Sequence, residues 1–446
     1  MKKPYQKPAL VKLQMGGLRD KSSSIRSMVR SNIAGVAVAE LVERFGSPLF
    51  VFSERKLREQ YRYLFRLFET QYPKVEFSWS YKTNYLDAIC KIFHQEGATA
   101  EVVSEFEYLK ARRLGIPGES IIFNGPYKPL PILRRAVEEG ARINIDSWEE
   151  LSHLEEIARE RKRKISVGIR INMDTGIQPR WGRFGFNLDS GEALQVAKRM
   201  AAGGLLELRG LHCHQGTFIL EPDAYGRAVD KMLQFSRTLQ EQFGWTLEYL
   251  DLGGGFPSRN RLKGIYLPSE VATPSLAEYV ERIGRALLSR LEPGEYPLLI
   301  MENGRALVDE AGFLITTLQA AKRLPDGRRA YVVDAGVNLL FTSFWYNFRV
   351  EMEKEILGPP EPSILYGPLC MNIDVVEESV NLPPLPVGTR LVLSPVGAYN
   401  VTQWMQFIMF RPRVVLVTEG GRVEVIREAE GLDDMVRLER IPQHLQ

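Results

Sequence analysis

Eight short runs rich in β-branched and aromatic residues alternate with longer amphipathic runs between residues 45 and 305 of this 446-residue chain. The short runs are 75–82, 98–103, 120–124, 141–146, 165–172, 208–214, 247–252 and 297–302. The amphipathic runs include 56–71, 130–139, 147–161, 223–243 and 275–291. Eight strands alternating with helices predict an α/β fold, a parallel (β/α)8 barrel of the TIM type. A doubly wound open sheet is the alternative.

The pattern changes after residue 310. Apolar runs at 331–336, 390–395, 413–419 and 422–428 are separated by segments that contain proline and glycine. We therefore predict an N-terminal segment over 1–44 that packs on a β domain, a barrel over 45–310, and that mostly β C-terminal domain over 311–446.

Composition argues against several kinds of partner. The formal net charge is +3 and charged residues of both signs are mixed along the chain, so there is no basic face for nucleic acid. No apolar run approaches the roughly 18 residues that a membrane span needs. The basic N-terminus lacks the apolar core of a signal peptide. Three cysteines without a CxxC pair fit a reducing compartment, and we expect a cytoplasmic protein.

Chemistry is expected at the carboxyl ends of the strands, where the active sites of parallel barrels lie. The first run ends in Lys82. A lysine that ends an apolar strand is costly to bury unless it has a partner or a task. A buried amine loses its proton more readily and can then form a Schiff base, whereas a surface lysine at a strand end is the alternative.

The sixth run ends in two histidines that point to the same side of a strand, His212 and His214. A zinc site would need a third ligand, and none stands at metal spacing nearby, so no metal is expected. A flat imidazole stacked on an aromatic cofactor is the preferred interpretation. Thr217, which follows a glycine, offers a hydroxyl and an N–H group to a phosphate.

The seventh and eighth runs end in residues suited to an anionic ligand. Gly253, Gly254 and Gly255 allow close approach of the backbone, although a tight turn is the alternative. Barrels often bind phosphate in the loops after these two strands. Glu302 could pair with a protonated ring nitrogen and Arg305 could reach a phosphate, whereas a structural ion pair is the alternative.

Seven motifs in this order resemble a known family. They are YKTN (81–84), HCHQGT (212–217), DLGGGF (251–256), ENGR (302–305), DAG (334–336), GPLC (367–370) and GAY (397–399). The chain is similar over about 45–415 to the pyridoxal phosphate (PLP)-dependent decarboxylases of the alanine-racemase-like barrel class, fold type III. The similarity is greatest to diaminopimelate decarboxylases, with ornithine and carboxynorspermidine decarboxylases as relatives.

The resemblance implies roles for the matching residues. Lys82 forms the internal aldimine, His214 stacks on the pyridine ring, and Glu302 contacts the ring nitrogen. Cys370 returns a proton to the substrate carbon and reaches into the site of a partner subunit, so a homodimer with shared active sites is implied. The other expected cofactor contacts are Thr217, Gly253, Gly254, Gly255, Gly304, Arg305 and Tyr399.

The implied activity is that of a carboxy-lyase, which decarboxylates a small amino acid through an external aldimine and a quinonoid. A racemase is disfavoured by Glu302, because alanine racemases of this fold carry an arginine at that position. A non-catalytic PLP-binding or regulatory protein is a further alternative. It is disfavoured by the complete second domain and by Cys370.

Two departures from the family bear on the substrate. Met371 stands where diaminopimelate decarboxylases usually have an acid, and Thr342 stands where they have an arginine. Together with Asp374 these residues are expected to line the substrate pocket. Without the two charges, a distal ammonium and carboxylate would lose their partners. We therefore expect a substrate other than meso-diaminopimelate, with a diaminopimelate decarboxylase of lysine biosynthesis as the alternative.

Overall fold

Eight parallel strands close into a barrel in the computed structural model, which describes residues 29–177, 181–265, 267 and 269–446. Each strand pairs with the next along the chain, and the eighth pairs with the first, so the predicted barrel is confirmed and the open sheet is excluded. The barrel strands are Val75–Ser80, Thr99–Val102, Ile121–Phe123, Arg142–Ile145, Ile165–Asn172, Leu206–His212, Tyr249–Asp251 and Leu298–Asn303.

Amphipathic helices connect the barrel strands. Three of them begin after a serine, Ser53, Ser104 or Ser147, whose hydroxyl accepts a hydrogen bond from a backbone N–H of the first turn. The long helices are Glu54–Gln71, Asp87–Gln95, Glu105–Arg113, Leu130–Glu138, Trp148–Arg161, Glu192–Gly203, Pro222–Phe243 and Leu276–Leu288. Shorter helices are Val38–Phe45, Ser269–Ala272, Arg305–Val308 and Leu432–Val436. Among the described helices, none has the length and apolar character that crossing a bilayer requires.

The second domain is a sheet of nine strands, which agrees with the predicted β domain. Its strands are Leu49–Ser53, Gly312–Arg323, Arg329–Val333, Arg349–Met352, Glu361–Tyr366, Val375–Leu382, Arg390–Ser394, Val414–Val417 and Val423–Arg427. The strand Leu49–Ser53 lies inside this sheet, antiparallel to Gly312–Arg323 and parallel to Val414–Val417. It falls within the range predicted for the barrel, but all its strand pairing is with the β domain.

The N-terminal segment is described only from residue 29, so part of the range predicted for it lies outside the described residues. Its buried side chains Ile33, Val38 and Leu41 pack in one cluster with Val51 and Val415 of the nine-stranded sheet. This segment therefore contributes apolar side chains to the face of the sheet that it covers.

A small second sheet brings the β domain over the mouth of the barrel. Arg261–Leu262, from the loop after the seventh barrel strand, pairs with Tyr346–Asn347 of the β domain. The N–H of Lys263 also donates to the carbonyl of Trp345 at 2.8 Å. As a result, side chains from both domains surround the carboxyl ends of the barrel strands.

Glu377 is a buried acid in the β domain that should make stability depend on pH. Burial raises the pKa of Glu377 to about 7. The N–H of Phe348, which donates to the carboxylate at 3.1 Å, lowers this pKa but does not outweigh burial. Because the unfolded chain has a glutamate pKa of about 4.3, the unfolded state loses this proton first as pH rises. The free energy of unfolding should therefore fall between about pH 4.3 and about pH 7, and this contribution should level off above that range.

We expect Glu377→Gln to flatten this decline, because glutamine keeps the acceptor oxygen and removes the titration. Urea unfolding at a series of pH values would measure it. Glu378→Gln is the matched control, since the Glu378 side chain is 67% exposed. A Glu377→Gln variant whose stability declined as steeply as that of the unmodified protein would contradict the assignment.

Candidate active site

A cavity of about 610 Å³ opens at the carboxyl ends of the barrel strands. The sequence-predicted residues that line it are Lys82, His214, Thr217, Glu302, Arg305, Thr342 and Tyr399. A narrow recess shares several of these residues and adds Gly254, Gly255 and Gly304 to its lining. The fold thus brings together residues from the first, sixth, seventh and eighth strand ends and from the β domain.

Lys82 lies in a single 3-10 turn, Tyr81–Thr83, directly after the first barrel strand. Its Nζ donates to Oε2 of Glu101 at 2.5 Å. Burial lowers the pKa of Lys82, but the carboxylates of Glu101 and Glu302 outweigh it and hold this pKa above its ordinary value. The hydroxyl of Thr402 donates to the Lys82 carbonyl at 2.9 Å, which ties the turn to the β domain. The lysine is therefore an ammonium group held by carboxylates inside the barrel mouth.

Glu101 and Asn124 are site residues that the sequence analysis missed. Glu101 is fully buried and accepts hydrogen bonds from Lys82, from Ser80 at 2.5 Å and from the Asn124 amide at 3.2 Å. The same Asn124 amide donates to Oε1 of Glu302. A single acid within the apolar run 98–103 was the signal for Glu101. Asn124 follows its strand directly, as the other site residues do.

Glu302 lies buried in the eighth strand between the amide of Asn124 and the imidazole of His212. Its Oε1 accepts from Asn124, and its Oε2 lies 3.4 Å from Nε2 of His212. Burial raises the pKa of Glu302, but His212 and Lys82 outweigh it and hold this pKa below the usual range. Glu302 is therefore an anion in the wall of the cavity.

His212, Asp251 and Glu302 form a buried cluster in which one ligand atom of each residue lies within 4.8 Å of the others. The argument against zinc rested on the lack of a third ligand near the two histidines in the sequence. Neighbouring barrel strands place two acids beside His212, so distance along the sequence does not settle the question, and the expectation of no metal stays a prediction. His212 and Glu302 also line the cavity, whereas Asp251 does not, and the protonation of the two acids is considered below.

His214 is a neutral imidazole. Burial, followed by the charges of Lys82 and Arg170, holds the pKa of His214 well below its ordinary value. The N–H of Gly254 donates to Nδ1 of His214 at 3.1 Å, so the ring proton belongs on Nε2. The edge of Trp181 packs against this ring, with centroids 5.3 Å apart. The ring is thus fixed in one tautomer and one orientation at the cavity wall.

The three glycines have two different tasks. A Cβ at Gly254 would lie 2.4 Å from the carbonyl oxygen of Glu302, and one at Gly255 would lie 2.6 Å from that of Gly216. No side chain fits at either position, which leaves bare backbone along the recess. Gly253 does not line the recess; its φ of +64° and its hydrogen bonds to Asp251 and Glu302, each 2.9 Å, form the turn.

Arg305 supplies a buried positive charge to the recess. Its Nη1 donates to Asp309 at 3.2 Å, and its guanidinium lies over the rings of Tyr346 and Tyr399 at 4.6 and 5.1 Å. Its Nε is buried and has no hydrogen-bond partner among the described residues. A buried guanidinium with an unused donor, beside bare glycine backbone, fits the phosphate of pyridoxal phosphate. The donor set around the cavity therefore fits this cofactor.

The predicted substrate-pocket residues do not all meet at the cavity. Thr342 lines it, but its N–H and hydroxyl both donate to Oδ1 of Asn400, at 3.2 and 2.9 Å. Asp374 is not part of this lining; its carboxylate accepts from the backbone N–H groups of Val337 and Leu369, each at 2.7 Å. Within its own chain Asp374 therefore joins the DAG and GPLC loops, and its contact with substrate stays a prediction.

Met371 and Cys370 also lie outside the lining of this cavity. Met371 is half-buried and its carbonyl accepts from the N–H of Asp374 at 3.0 Å. Cys370 is an exposed free thiol. Cys370 ends the GPLC motif and Met371 follows it, and neither lines the cavity of its own chain.

Further cavity residues were missed because the barrel wall and the β domain supply them from distant parts of the sequence. They are Arg170, Trp181, Phe184, Phe218, Tyr346 and Gln403. Arg170 is buried, pairs with Asp146 at 3.2 Å and lies 4.6 Å from the ring centre of Phe184. The cavity thus combines two buried guanidinium groups, Arg170 and Arg305, with a wall of aromatic rings.

Comparisons with known proteins agree with this geometry. Residues 58–309 match the family described as pyridoxal-dependent decarboxylase, pyridoxal binding domain. A diaminopimelate decarboxylase of Methanothermobacter thermautotrophicus is 30% identical over 427 residues, which cover 93% of this chain and 96% of that protein. A diaminopimelate decarboxylase of Methanocaldococcus jannaschii is also 30% identical, over 437 residues that cover 93% of this chain and 95% of that protein.

A solved structure extends the similarity to three dimensions. The crystal structure of M. jannaschii diaminopimelate decarboxylase in complex with L-lysine superposes with a TM-score of 0.83 at 28% identity. The match covers 92% of this chain and 96% of that one. Both domains of the fold are therefore included in the similarity.

Proposed function

The chain belongs to the family of pyridoxal-dependent decarboxylases, and we propose that it decarboxylates a diamino dicarboxylic acid of the diaminopimelate type. One observation supports this reaction most directly. Lys82, His214 and Glu302 line one cavity, and they also line the narrow recess to which glycine backbone and Arg305 contribute. The substrate rests on the relatives, which match over nearly the whole chain. They favour the alternative of the sequence analysis over its first expectation.

Pyridoxal phosphate, when bound, supplies an aldehyde that links to amines and a pyridine ring that withdraws electrons from the carbon losing its carboxylate. Lys82 is the residue proposed to hold it covalently. Its ammonium must first lose a proton, and Glu101 is an acceptor 2.5 Å away. We therefore assign Glu101 the task of holding Lys82 and accepting its proton.

Glu302 is proposed to hold a proton at the pyridine nitrogen. An anion in a buried site stabilises a nearby cation strongly, since little water screens the pair. The neutral ring of His214 is proposed to stack on the pyridine, and its hydrogen bond from Gly254 keeps it from rotating. Arg305 and the backbone of Gly254 and Gly255 are proposed to bind the phosphate.

Thr217, Gly304 and Tyr399 complete the proposed cofactor site. All three line the narrow recess together with Arg305. A Cβ at Gly304 would lie 2.2 Å from the hydroxyl oxygen of Thr83, so this position also needs bare backbone. Tyr399 is held by its N–H, which donates to the carbonyl of Thr83 at 2.8 Å.

Cys370 is proposed to return a proton to the substrate carbon in the site of a partner subunit, which implies a homodimer. Its exposure supports this role, as does its position outside the cavity lining of its own chain. A reducing compartment such as the cytoplasm is proposed as well. Cys90 and Cys213 are free thiols like Cys370, and no disulfide joins the three.

A second candidate substrate is a small amino acid without distal charges. One observation favours it: Thr342 uses both of its donors on Asn400 and so leaves no donor for a distal carboxylate. The aromatic rings of Trp345, Tyr346 and Phe218 on the same cavity would suit an apolar side chain. Arg170 remains the cation on this wall, which suits the diamino dicarboxylic acid better.

Release of carbon dioxide from a panel of amino acids would separate the two candidates. We expect kcat/KM for meso-diaminopimelate to exceed that for lysine, ornithine and leucine by at least about 100-fold, because a site built for polar groups rejects analogues that lack them. Lys82→Ala protein provides the background rate. A preference for leucine, or no release from meso-diaminopimelate, would instead support the second candidate.

A further inference from the structure

Two buried carboxyl groups lie side by side at the carboxyl ends of the barrel strands. Asp251 ends the seventh strand and is fully buried, and Glu302 in the adjacent eighth strand is 3% exposed. Oδ1 of Asp251 accepts the N–H of Gly253 at 2.9 Å. Oδ2 of Asp251 has no hydrogen-bond partner among the described residues. One half of a buried carboxyl group is thus unsatisfied, and Glu302 is its close neighbour.

The charges around the pair do not support two anions. The titratable groups that face Asp251 from neighbouring strands are Glu101, His212, Cys213, Tyr249 and Glu302. The amine of Lys82 is paired with Glu101. Adding a negative charge beside Glu302 would therefore place two anions next to each other in a dry site, which is far costlier than keeping one proton.

The amide donor to Glu302 cannot provide that proton. A chain of hydrogen bonds runs through the barrel from the hydroxyl of Tyr249 to Asn144, from Asn144 to Asn124, and from Asn124 to Glu302. The first two bonds are 2.9 Å long, and every donor points toward Glu302. Amide groups donate hydrogen bonds but do not take up a proton near neutral pH. The chain therefore orients Glu302 and keeps it an acceptor.

Two glycines make room for this chain, which indicates that its geometry is built into the barrel. A Cβ at Gly168 would lie 2.2 Å from the Tyr249 hydroxyl, and one at Gly210 would lie 2.3 Å from the Tyr249 ring. Asn124 is bonded to Oε1 of Glu302 and His212 lies beside Oε2, while Oδ2 of Asp251 and the two ring nitrogens of His212 have no hydrogen-bond partner among the described residues.

We propose that Asp251 is a neutral carboxylic acid in the working enzyme and donates a hydrogen bond to Glu302. It acts as a positioning residue, because the bond holds Glu302 as an anion aimed at the cofactor ring. Burial and then the charge of Glu302 raise the pKa of Asp251 well above its ordinary value, in agreement with this state. The inference rests on the proposed role of Glu302 at the ring nitrogen.

The test compares Asp251→Asn with Asp251→Leu in the holoenzyme. Asparagine can donate the same hydrogen bond as a neutral acid, so kcat should stay within about threefold of the unmodified enzyme. Leucine fills similar space without a donor, and kcat should fall about 30-fold with little change in KM, as loss of a hydrogen bond to a charged group predicts. The acid limb of the kcat profile should move in the leucine variant alone.

Infrared spectroscopy tests the proton independently of catalysis. The carbonyl stretch of a protonated carboxylic acid should be present in the holoenzyme, shift in D₂O and disappear in Asp251→Asn. Absence of that band would overturn the proposal, as would an asparagine variant as impaired as the leucine one or a leucine variant with unchanged kcat. If the band is present but Glu302→Gln leaves kcat unchanged, the assigned role of Glu302 fails and the neutral acid stands.

Discussion

Alanine in place of Lys82 is expected to lower kcat for carbon dioxide release by about four orders of magnitude or more, the size of effect that loss of a covalent nucleophile produces. The variant also loses the amine that Glu101 holds at 2.5 Å, and no second lysine lines the cavity in the described part of the chain. Purified protein should lose the visible absorbance of covalently held cofactor. Turnover assays and an absorption spectrum on the same sample would measure both.

Lys198→Ala is the control for this prediction, because Lys198 is an exposed residue of the helix Glu192–Gly203. It should leave both the spectrum and turnover unchanged. Folding of the two variants can be compared by circular dichroism. If the Lys82 variant kept its visible absorbance and a substantial part of its turnover, the attachment site would have to be sought elsewhere.

Glutamine in place of Glu302 is expected to give the second large loss, a kcat about 100- to 1000-fold lower, which matches the removal of one preorganised electrostatic partner. The amide is nearly the same size, so Asn124 and His212 can still contact the position. What is lost is the negative charge that stabilises a protonated ring nitrogen. Covalent binding at Lys82 should survive, so the visible absorbance should persist while turnover falls.

Glu292→Gln is the matched control, because Glu292 is exposed. It should leave both kcat and the visible absorbance unchanged. Measuring kcat and KM separately is informative here. A Glu302 variant with raised KM and ordinary kcat would mean that the acid binds substrate and does not support the cofactor ring.

Much of the fold could be predicted because a parallel barrel repeats one simple pattern. Each strand is a short apolar run, each helix has a buried stripe, and the polar residue that follows a strand lies at the same end of the barrel as all the others. Lys82, His214 and Glu302 were identified by that rule, and the structure brings them to one cavity. The resemblance in seven motifs then indicated the cofactor.

The predictions failed where partners are distant in sequence. Leu49–Ser53 carries an ordinary buried-strand pattern, and nothing local indicates that it pairs with Val414–Val417. Glu101 was passed over as part of an apolar run, although it is the partner of Lys82.

The argument against zinc has a related weakness. Metal spacing was judged along the chain, while His212, Asp251 and Glu302 are neighbours across three strands. Sequence distance is a poor guide to contact inside a barrel, since each crossover helix separates adjacent strands by dozens of residues. Protonation states inside such a cluster depend on contacts of this kind and cannot be inferred from motifs.

The strand Leu49–Ser53 also determines the order in which this protein can be completed during synthesis. It leaves the ribosome before the whole barrel, yet one of its two neighbours, Val414–Val417, is made only after most of the β domain. Until then the strand has an open hydrogen-bonding edge, which is a hazard for aggregation. The nascent chain therefore contains an incomplete sheet after all the barrel strands have been made. The yield of folded protein in the cell should depend on how well the open edge of Leu49–Ser53 is shielded.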